Sequence, residues 1–419
     1  MPGTRHEPAA AASAQIDILS GWPALGPLEP AVAALHQLAG TPVTARLAWW
    51  RSAVRAEHDA VPVLLALPAP DDPLRAAALV AAALVAVREQ DGVWQITSGR
   101  PHSDDTWEVA ARSADARRTM LAELAGFATD LRRPWQLVLT GLRDGNDAAW
   151  LARQLPGSHV TPASPVPGIG FKAGQVTFGP GIRSGLDRSS QRIRQHALSE
   201  EIQFERDPDR LAKLRGEIED VHLARDHDAG RESDLDDTAG VAFWRSVYDL
   251  HAARGELEVA TLRLDGHLAA YVIAFTDGPA YRVFDGRFAP PWRRYSPGRR
   301  LEAAVVEHAR FEGFAVLDWM TSVAPEKLVA STWAEPRWTV TAAGGQRPAR
   351  AAVPRPRSAH GAAGGSRRAC TSGGGALGDG ALGDGALGDG ALGDGALGGG
   401  ALGGGALGGG ALSVTAAAP

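Results

Sequence analysis

Between Glu256 and Gly286 the chain alternates apolar and polar residues in three short runs, "ELEVATLRL", "HLAAYVIAFT" and "AYRVFDG". Asp265-Gly266 separates the first two and Asp277-Gly278 the last two. Asp-Gly between such runs is a hairpin signal, so the pattern predicts a three-stranded antiparallel meander. Two helical periods precede it. "DPDRLAKLRGEIEDVHLARDHD" has Asp207 near its cap and Pro208 in its first turn. "DTAGVAFWRSVYDLHAARGE" places Trp244, Val247 and Leu250 on one face and stops at Gly255. Upstream lie a basic helical stretch, "LDRSSQRIRQHALSE", and a short strand, "IQFERD". Downstream the pattern predicts a helix Leu301–Glu312 stopped by Gly313, a strand "AVLDWM", a helix around "PEKLVASTW" and a last strand "RWTVTA". The longest apolar run, Ala76–Val87, fits a buried strand or a buried helix, and periodicity does not decide between them.

Composition divides the 419 residues into three regions. The first, 1–170, ends in the Pro- and Gly-rich "LPGSHVTPASPVPGIG", which reads as a boundary. The second is 171–345. The third, 346–419, passes into "ALGDGALGDG" and "ALGGGALGGG", a five-residue period too rich in glycine to bury a core, so a disordered tail is expected there. The net charge of −5 gives no global reason to bind nucleic acid. The single cysteine, Cys370, allows no disulfide within the chain and suits a reducing cytoplasm. The start lacks the apolar core of a secretory signal, and Ala76–Val87 is about half the ~20 residues of a membrane helix, so no span is expected.

The candidate chemistry centres on Ser296-Pro297-Gly298-Arg299-Arg300, which feeds the helix Leu301–Glu312. Two arginines at a helix N-terminus oppose the dipole, so an anion is expected beside them. Backbone N–H groups there bind phosphate, Gly298 permits close approach, Pro297 stiffens the turn, and Arg299 and Arg300 add charge-assisted bonds. Tyr281 and Asp285, on the preceding strand, are candidates for acid–base work on a substrate amine. Plainer roles are the better reading for three other features. These are His308 as a helical residue, Arg188, Arg192 and Arg194 as a solvated face, and Trp49 and Trp50 as core or interface. No Ser-His-Asp order, Walker loop or metal-ligand spacing is visible.

"HAARGELEVATLRLDGHLAAYVIAF", "YSPGRRLEAAVVEHARFEGFAVLDW" and "EKLVASTW" together resemble the GNAT (Gcn5-related N-acetyltransferase) superfamily. They look most like the branch with cellulose-biosynthesis-associated acetyltransferases and relatives of the Fem-type aminoacyl transferases. The resemblance spans roughly Asp187 to Trp338. Its Ser-Pro-Gly, strand Asp and following Lys fall on Ser296-Pro297-Gly298, Asp318 and Lys327. "TPVTARLAWWRSAV" and "SDDTWEVAARSAD" resemble the companion domain of that branch. The resemblance implies an α/β fold of two tandem GNAT-like domains, each a mixed, mostly antiparallel sheet flanked by helices. It implies transfer of an acyl group from acetyl-CoA or another acyl-CoA, without a metal, to an amine such as one on a sugar or polysaccharide precursor. Asp318 and Lys327 join Tyr281 and Asp285 as catalytic candidates; Ser296, Gly298, Arg299 and Arg300 are the cofactor-binding ones. The sequence departs from the general pyrophosphate pattern: Tyr295 stands where Gln or Arg is usual, Arg300 where Gly or Ala is usual, and Glu326 replaces the Tyr common before the Lys. Two rivals follow. One is a Fem-type transferase using aminoacyl-tRNA, against which the acidic net charge counts. The other is a degenerate scaffold that does no chemistry.

Overall fold

The computed structural model describes residues 16–57, 59–69, 79–99, 106–171, 178–320 and 331–345. The first half runs β1 (Asp17–Ser20), α1 (Trp22–Leu25), α2 (Glu29–Ala39), α3 (Leu47–Ala56), β2 (Val61–Pro68), β3 (Leu79–Gln90), β4 (Val93–Thr97), β5 (Ala110–Ala111), α4 (Ala114–Thr129), β6 (Trp135–Leu142), α5 (Gly145–Gln154) and β7 (His159–Gly170). The second runs α6 (Pro180–Gln195), β8 (Glu200–Glu205), α7 (Pro208–Asp228), α8 (Thr238–Ala253), β9 (Leu257–Leu264), β10 (His267–Asp277), β11 (Ala280–Phe288), a 3-10 turn Pro290–Tyr295, α9 (Pro297–Phe311), β12 (Val316–Asp318) and β13 (Trp333–Gly344).

The order repeats. An edge strand, helices, a meander of three strands, a helix and two further strands occur in this order in each half, the first half adding α1, β5 and α5. In both halves the third meander strand pairs in parallel with the strand after the helix: β4 with β6, and β11 with β12. All other described pairings are antiparallel. The expected tandem of mixed, mostly antiparallel sheets is therefore observed, as one sheet ordered β1-β2-β3-β4-β6-β13-β7-β12-β11-β10-β9-β8.

That order shows an exchange at the centre. β13, the last strand of the second half, lies between β6 and β7, and β7, the last strand of the first half, lies between β13 and β12. The segment read from composition as a boundary is thus the strand β7. Its prolines are tolerated because, among the described residues, the stretch from His159 to Val166 has only β13 beside it, and at Pro167 only the carbonyl is used on the other side, by the Trp319 N–H at 3.1 Å. Tryptophan faces glycine along the seam. A Cβ on Gly168 would stand 2.2 Å from Trp333, one on Gly344 2.5 Å from Trp135, and one on Gly145 2.9 Å from Trp338.

The ambiguous apolar run is resolved as β3, buried from Ala81 through Val87 because helices cover both faces. Asp265 and Gly266 both have positive φ, 49° and 78°, as a two-residue hairpin of the primed type requires. The second turn differs. Asp277 ends β10 and pairs with Ala280, leaving Gly278 and Pro279 as the loop. Trp49 and Trp50 are core residues on opposite sides of α3. Trp50 packs into the first half, whereas Trp49 meets Phe243, Phe275 and Phe284 of the second edge-on, at 5.5, 5.6 and 5.1 Å. The tail and the helix expected around Lys327 lie outside the described residues.

Candidate active site

β11 and β12 pair over only three residues, Ala280–Arg282 against Val316–Asp318. β11 continues to Phe288, and among the described residues nothing pairs with that side of it. The two parallel strands therefore part toward their C-terminal ends, leaving unpaired backbone groups that face the opening. A bulge sits at the parting: Ile273 pairs with Asp285 and Ala274 with Val283, so Phe284 is the extra residue. A bulge re-aims side chains. Tyr281, Val283 and Phe288 pack toward α9, whereas Phe284 and Asp285 meet groups of α7 and α3.

At the end of β11 the chain makes one 3-10 turn and enters α9 through Ser296, whose backbone is left-handed (φ 48°, ψ 49°). Pro297 brings no N–H, and the Arg300 N–H is already bonded to the Ser296 carbonyl at 3.2 Å. The N–H groups of Gly298 and Arg299 have no acceptor among the described residues. Gly298 is helical and partly exposed, and a Cβ on it would reach only ordinary contact with Phe288, 3.5 Å away. The arginines differ. Arg300 forms a two-pronged pair with Glu200 at 2.7 and 2.6 Å and donates to Ser190 Oγ at 2.6 Å. Arg299 has no ion pair with any described residue. The anion beside Arg300 is thus Glu200, which corrects the expectation that this side chain and its N–H are available to phosphate.

The catalytic candidates fall into three clusters. The buried Tyr281 hydroxyl donates to Glu258 Oε1 at 2.6 Å, and Glu258 also meets Arg206 and His308 Nε2, the latter at 3.0 Å. Burial, helped by the Glu258 charge, pushes the Tyr281 phenol well above its ordinary range. Asp285 accepts from Arg287 at 2.7 Å, Tyr271 at 2.8 Å and His222 Nδ1 at 3.1 Å. On its other side His222 Nε2 stands 3.0 Å from Asp226. Burial alone would raise Asp285, but Arg287 and His222 outweigh it and hold the carboxyl far below its usual range. Burial would likewise lower His222, but Asp285 and Asp226 bring it up to about 8. Asp318, buried at the end of β12, takes the Met320 N–H at 2.8 Å and pairs with Arg282. Arg282 also reaches Asp277 at 2.7 Å, and Asp277 pairs in turn with Arg46 of the first half. Lys327 lies outside the described residues.

Residues 182–328 match the family model described as "Acetyltransferase (GNAT) domain". This stretch, within the second half, has the sequence of a GNAT domain, which supports an enzyme of the acyltransferase class. No curated protein sequence matches the chain. Among solved structures, it is similar to FemX, with a TM-score of 0.53 at 9% identity over 73% of this chain and 94% of that one. It is also similar to the C-terminal domain of a putative lysylphosphatidylglycerol synthetase from Agrobacterium fabrum, with TM-score 0.48, 13% identity and 75% and 92% of the two chains covered. A tandem GNAT protein from the clavulanic acid biosynthesis pathway gives 0.42, 14%, 80% and 100%.

Within the GNAT domain, sequence reading found the loop and the strands on either side of its helix but missed their parting and most of what surrounds them. His222, Asp226, Arg287, Glu258 and Arg282 are buried or half-buried charged groups. Their signal was only that charge interrupts apolar runs, "EVA" and "YRVFDGR" among them. His308 is a partly buried helical residue, stacked 3.7 Å from the Phe204 ring centroid. On α6, Arg192 bonds the Arg294 carbonyl at 2.8 Å. Among the described residues no group of three or more His, Cys, Asp or Glu is placed to hold a metal, and no described helix is long and apolar enough to cross a membrane.

Proposed function

We propose that the second half is an N-acyltransferase that takes its acyl group from acyl-CoA and gives it to an amine. The observation carrying this reading is the parting of β11 and β12 next to a helix N-terminus with two free N–H groups and an unpaired Arg299. In the reading, the pyrophosphate sits on the Gly298 and Arg299 N–H groups, where the helix dipole favours negative charge. Ser296 supplies the left-handed turn that aims them, and Arg300 fixes the helix start through Glu200 rather than touching phosphate. The pantetheine arm follows the unpaired side of β11. The amine then attacks the thioester carbonyl: a C–N bond forms, the C–S bond breaks, the amine loses a proton and the departing thiolate gains one. Tyr281, kept neutral and with its hydroxyl proton held by Glu258, cannot remove a proton from the amine. Asp285 is too weak a base to take one, and its part is to position β11 through His222 and Arg287. Asp318 stands where the strands part and, with Lys327, is the candidate for orienting the amine. The acceptor we favour, on the sequence resemblance alone, is an amine on a sugar or polysaccharide precursor, and the single cysteine suits action in the cytoplasm.

Calorimetry with acetyl-CoA tests the donor site. Arg299→Ala should weaken binding by roughly 1–3 kcal/mol, less so at high salt, if its contact with phosphate is direct. Arg300→Ala should lower stability and leave affinity nearly unchanged. Gly298→Val should weaken binding more than Arg299→Ala, because a branched side chain shields the N–H groups. Undiminished binding by Gly298→Val places the phosphates elsewhere.

A further inference from the structure

The half of β11 that parts from β12 is held from its other face by charge. His222, Arg225 and Asp226 lie at i, i+3 and i+4 on α7, on one side of that helix. Asp285 and Arg287 lie at i and i+2 on β11 and share its α7 face. Arg287 donates to Asp285 at 2.7 Å and to Asp226 at 3.0 Å, and all five side chains are buried. Arg225 reaches past the strand end, its guanidinium 4.5 Å from the centroid of the Phe288 ring. That ring is the neighbour of Gly298 at the start of α9. The seam therefore touches both parts of the donor site, the β11 stretch without β12 beside it and the helix start.

His222 is the group on which the seam turns. Its Nδ1 stands 3.1 Å from Asp285 and its Nε2 3.0 Å from Asp226, so each ring nitrogen faces a carboxylate. A neutral imidazole has one N–H and turns a lone pair to the other carboxylate; only the imidazolium suits both. The other neighbours agree. Tyr271, from β10, gives its hydroxyl proton to Asp285 at 2.8 Å, with its oxygen 3.0 Å from Nδ1. Arg231, following α7, holds Asp226 at 2.9 Å, and the Trp244 ring of α8 meets the imidazole edge-on at 6.4 Å. Arg287 and burial oppose the proton, and the two carboxylates outweigh them. Loss of the proton would leave a buried carboxylate against a lone pair, a costly arrangement. The strand is the side that yields, since past Arg282 it is laddered on one edge only, whereas α7 keeps its own helical bonds.

We propose that His222, in its protonated form, is a positioning residue that sets the parted half of β11 for acyl-CoA, and that the donor site loosens when the proton leaves. The inference rests on the acyl-CoA reading of that site.

Calorimetry with acetyl-CoA on the full chain, at constant ionic strength from pH 7 to 9, tests it; the phosphates of the ligand keep a nearly constant charge over that range. Affinity should fall as pH rises, by up to about tenfold for one proton lost near pH 8. Folded His222→Gln should bind with an affinity that does not change across the window. Amide exchange of the ligand-free wild type, corrected for its intrinsic pH dependence, is a readout that needs no ligand. Protection of residues 285–288 should drop more than that of residues 280–282, whereas lower overall stability alone gives a uniform loss. Wild-type affinity level from pH 7 to 9, the wild-type fall retained in His222→Gln, or protection lost equally along β11 would overturn the proposal. No binding of acetyl-CoA at any pH would overturn the acyl-CoA reading instead, and the exchange comparison would then decide whether His222 holds the strand.

Discussion

Arg299 and Arg300 are adjacent, identical in type and different in use, and the difference comes from Glu200, 100 residues away in the chain. The anion-seeking helix start was legible, because charge and helix position suffice to infer it. The occupant of Arg300 was not, because a partner so distant leaves no local spacing to read. His222 is a similar case. It looks like an ordinary helical residue, yet it bridges Asp226 and Asp285 inside the protein. Its pKa rises from 6.5 to about 8 on folding. A raised folded value means the stabilisation is fully present below about pH 6.5 and lost as pH rises through about 8. Urea unfolding should therefore show stability falling by about 2 kcal/mol across that window, from ~1.4 kcal/mol per pKa unit. His222→Gln should flatten the fall. A wild-type curve level from pH 6 to 9 contradicts the buried cation.

Among elements, the meander and its flanking helices were readable because each is set by local period and turn chemistry. β7 was not. Three prolines and two glycines within His159–Gly170 suggest a linker, and what makes it a strand is pairing with β13, far along the chain. The seam depends on glycine where tryptophan crosses it. In Gly168→Ala the new methyl would meet the Trp333 ring and the Leu317 carbonyl, the latter at 2.8 Å, and neither can move far in the centre of a sheet. A loss of about 1–3 kcal/mol or more is expected in chemical denaturation. Gly168→Ala combined with Trp333→Ala should be less damaging than the sum of the two single changes, since the second removes the obstacle of the first. Strict additivity would mean the two residues do not meet.

On the scale of the whole molecule, exchange of the last strands makes the two halves one folding problem. Neither half closes its own sheet: β12 needs β7, and β6 needs β13. Arg46 with Asp277, and Trp49 among Phe243, Phe275 and Phe284, tie them again on the helical face. Residues 171–345 expressed alone should fail to give a cooperative melt. The chain cut after Gly345 should keep the full-length midpoint, because the five-residue glycine repeats beyond it cannot build a core. A tandem of two units was foreseeable from resemblance, but their exchange lies in pairings that one sequence does not display. The account's central claim is that acyl-CoA lies along the parted side of β11 with its phosphates on the start of α9. Amide hydrogen exchange with and without acetyl-CoA tests this most directly. The account predicts slowed exchange in residues 283–288 and at Gly298 and Arg299, with β4 and β6 unchanged. Protection confined to β4 and β6, or none at saturating acetyl-CoA, would contradict it.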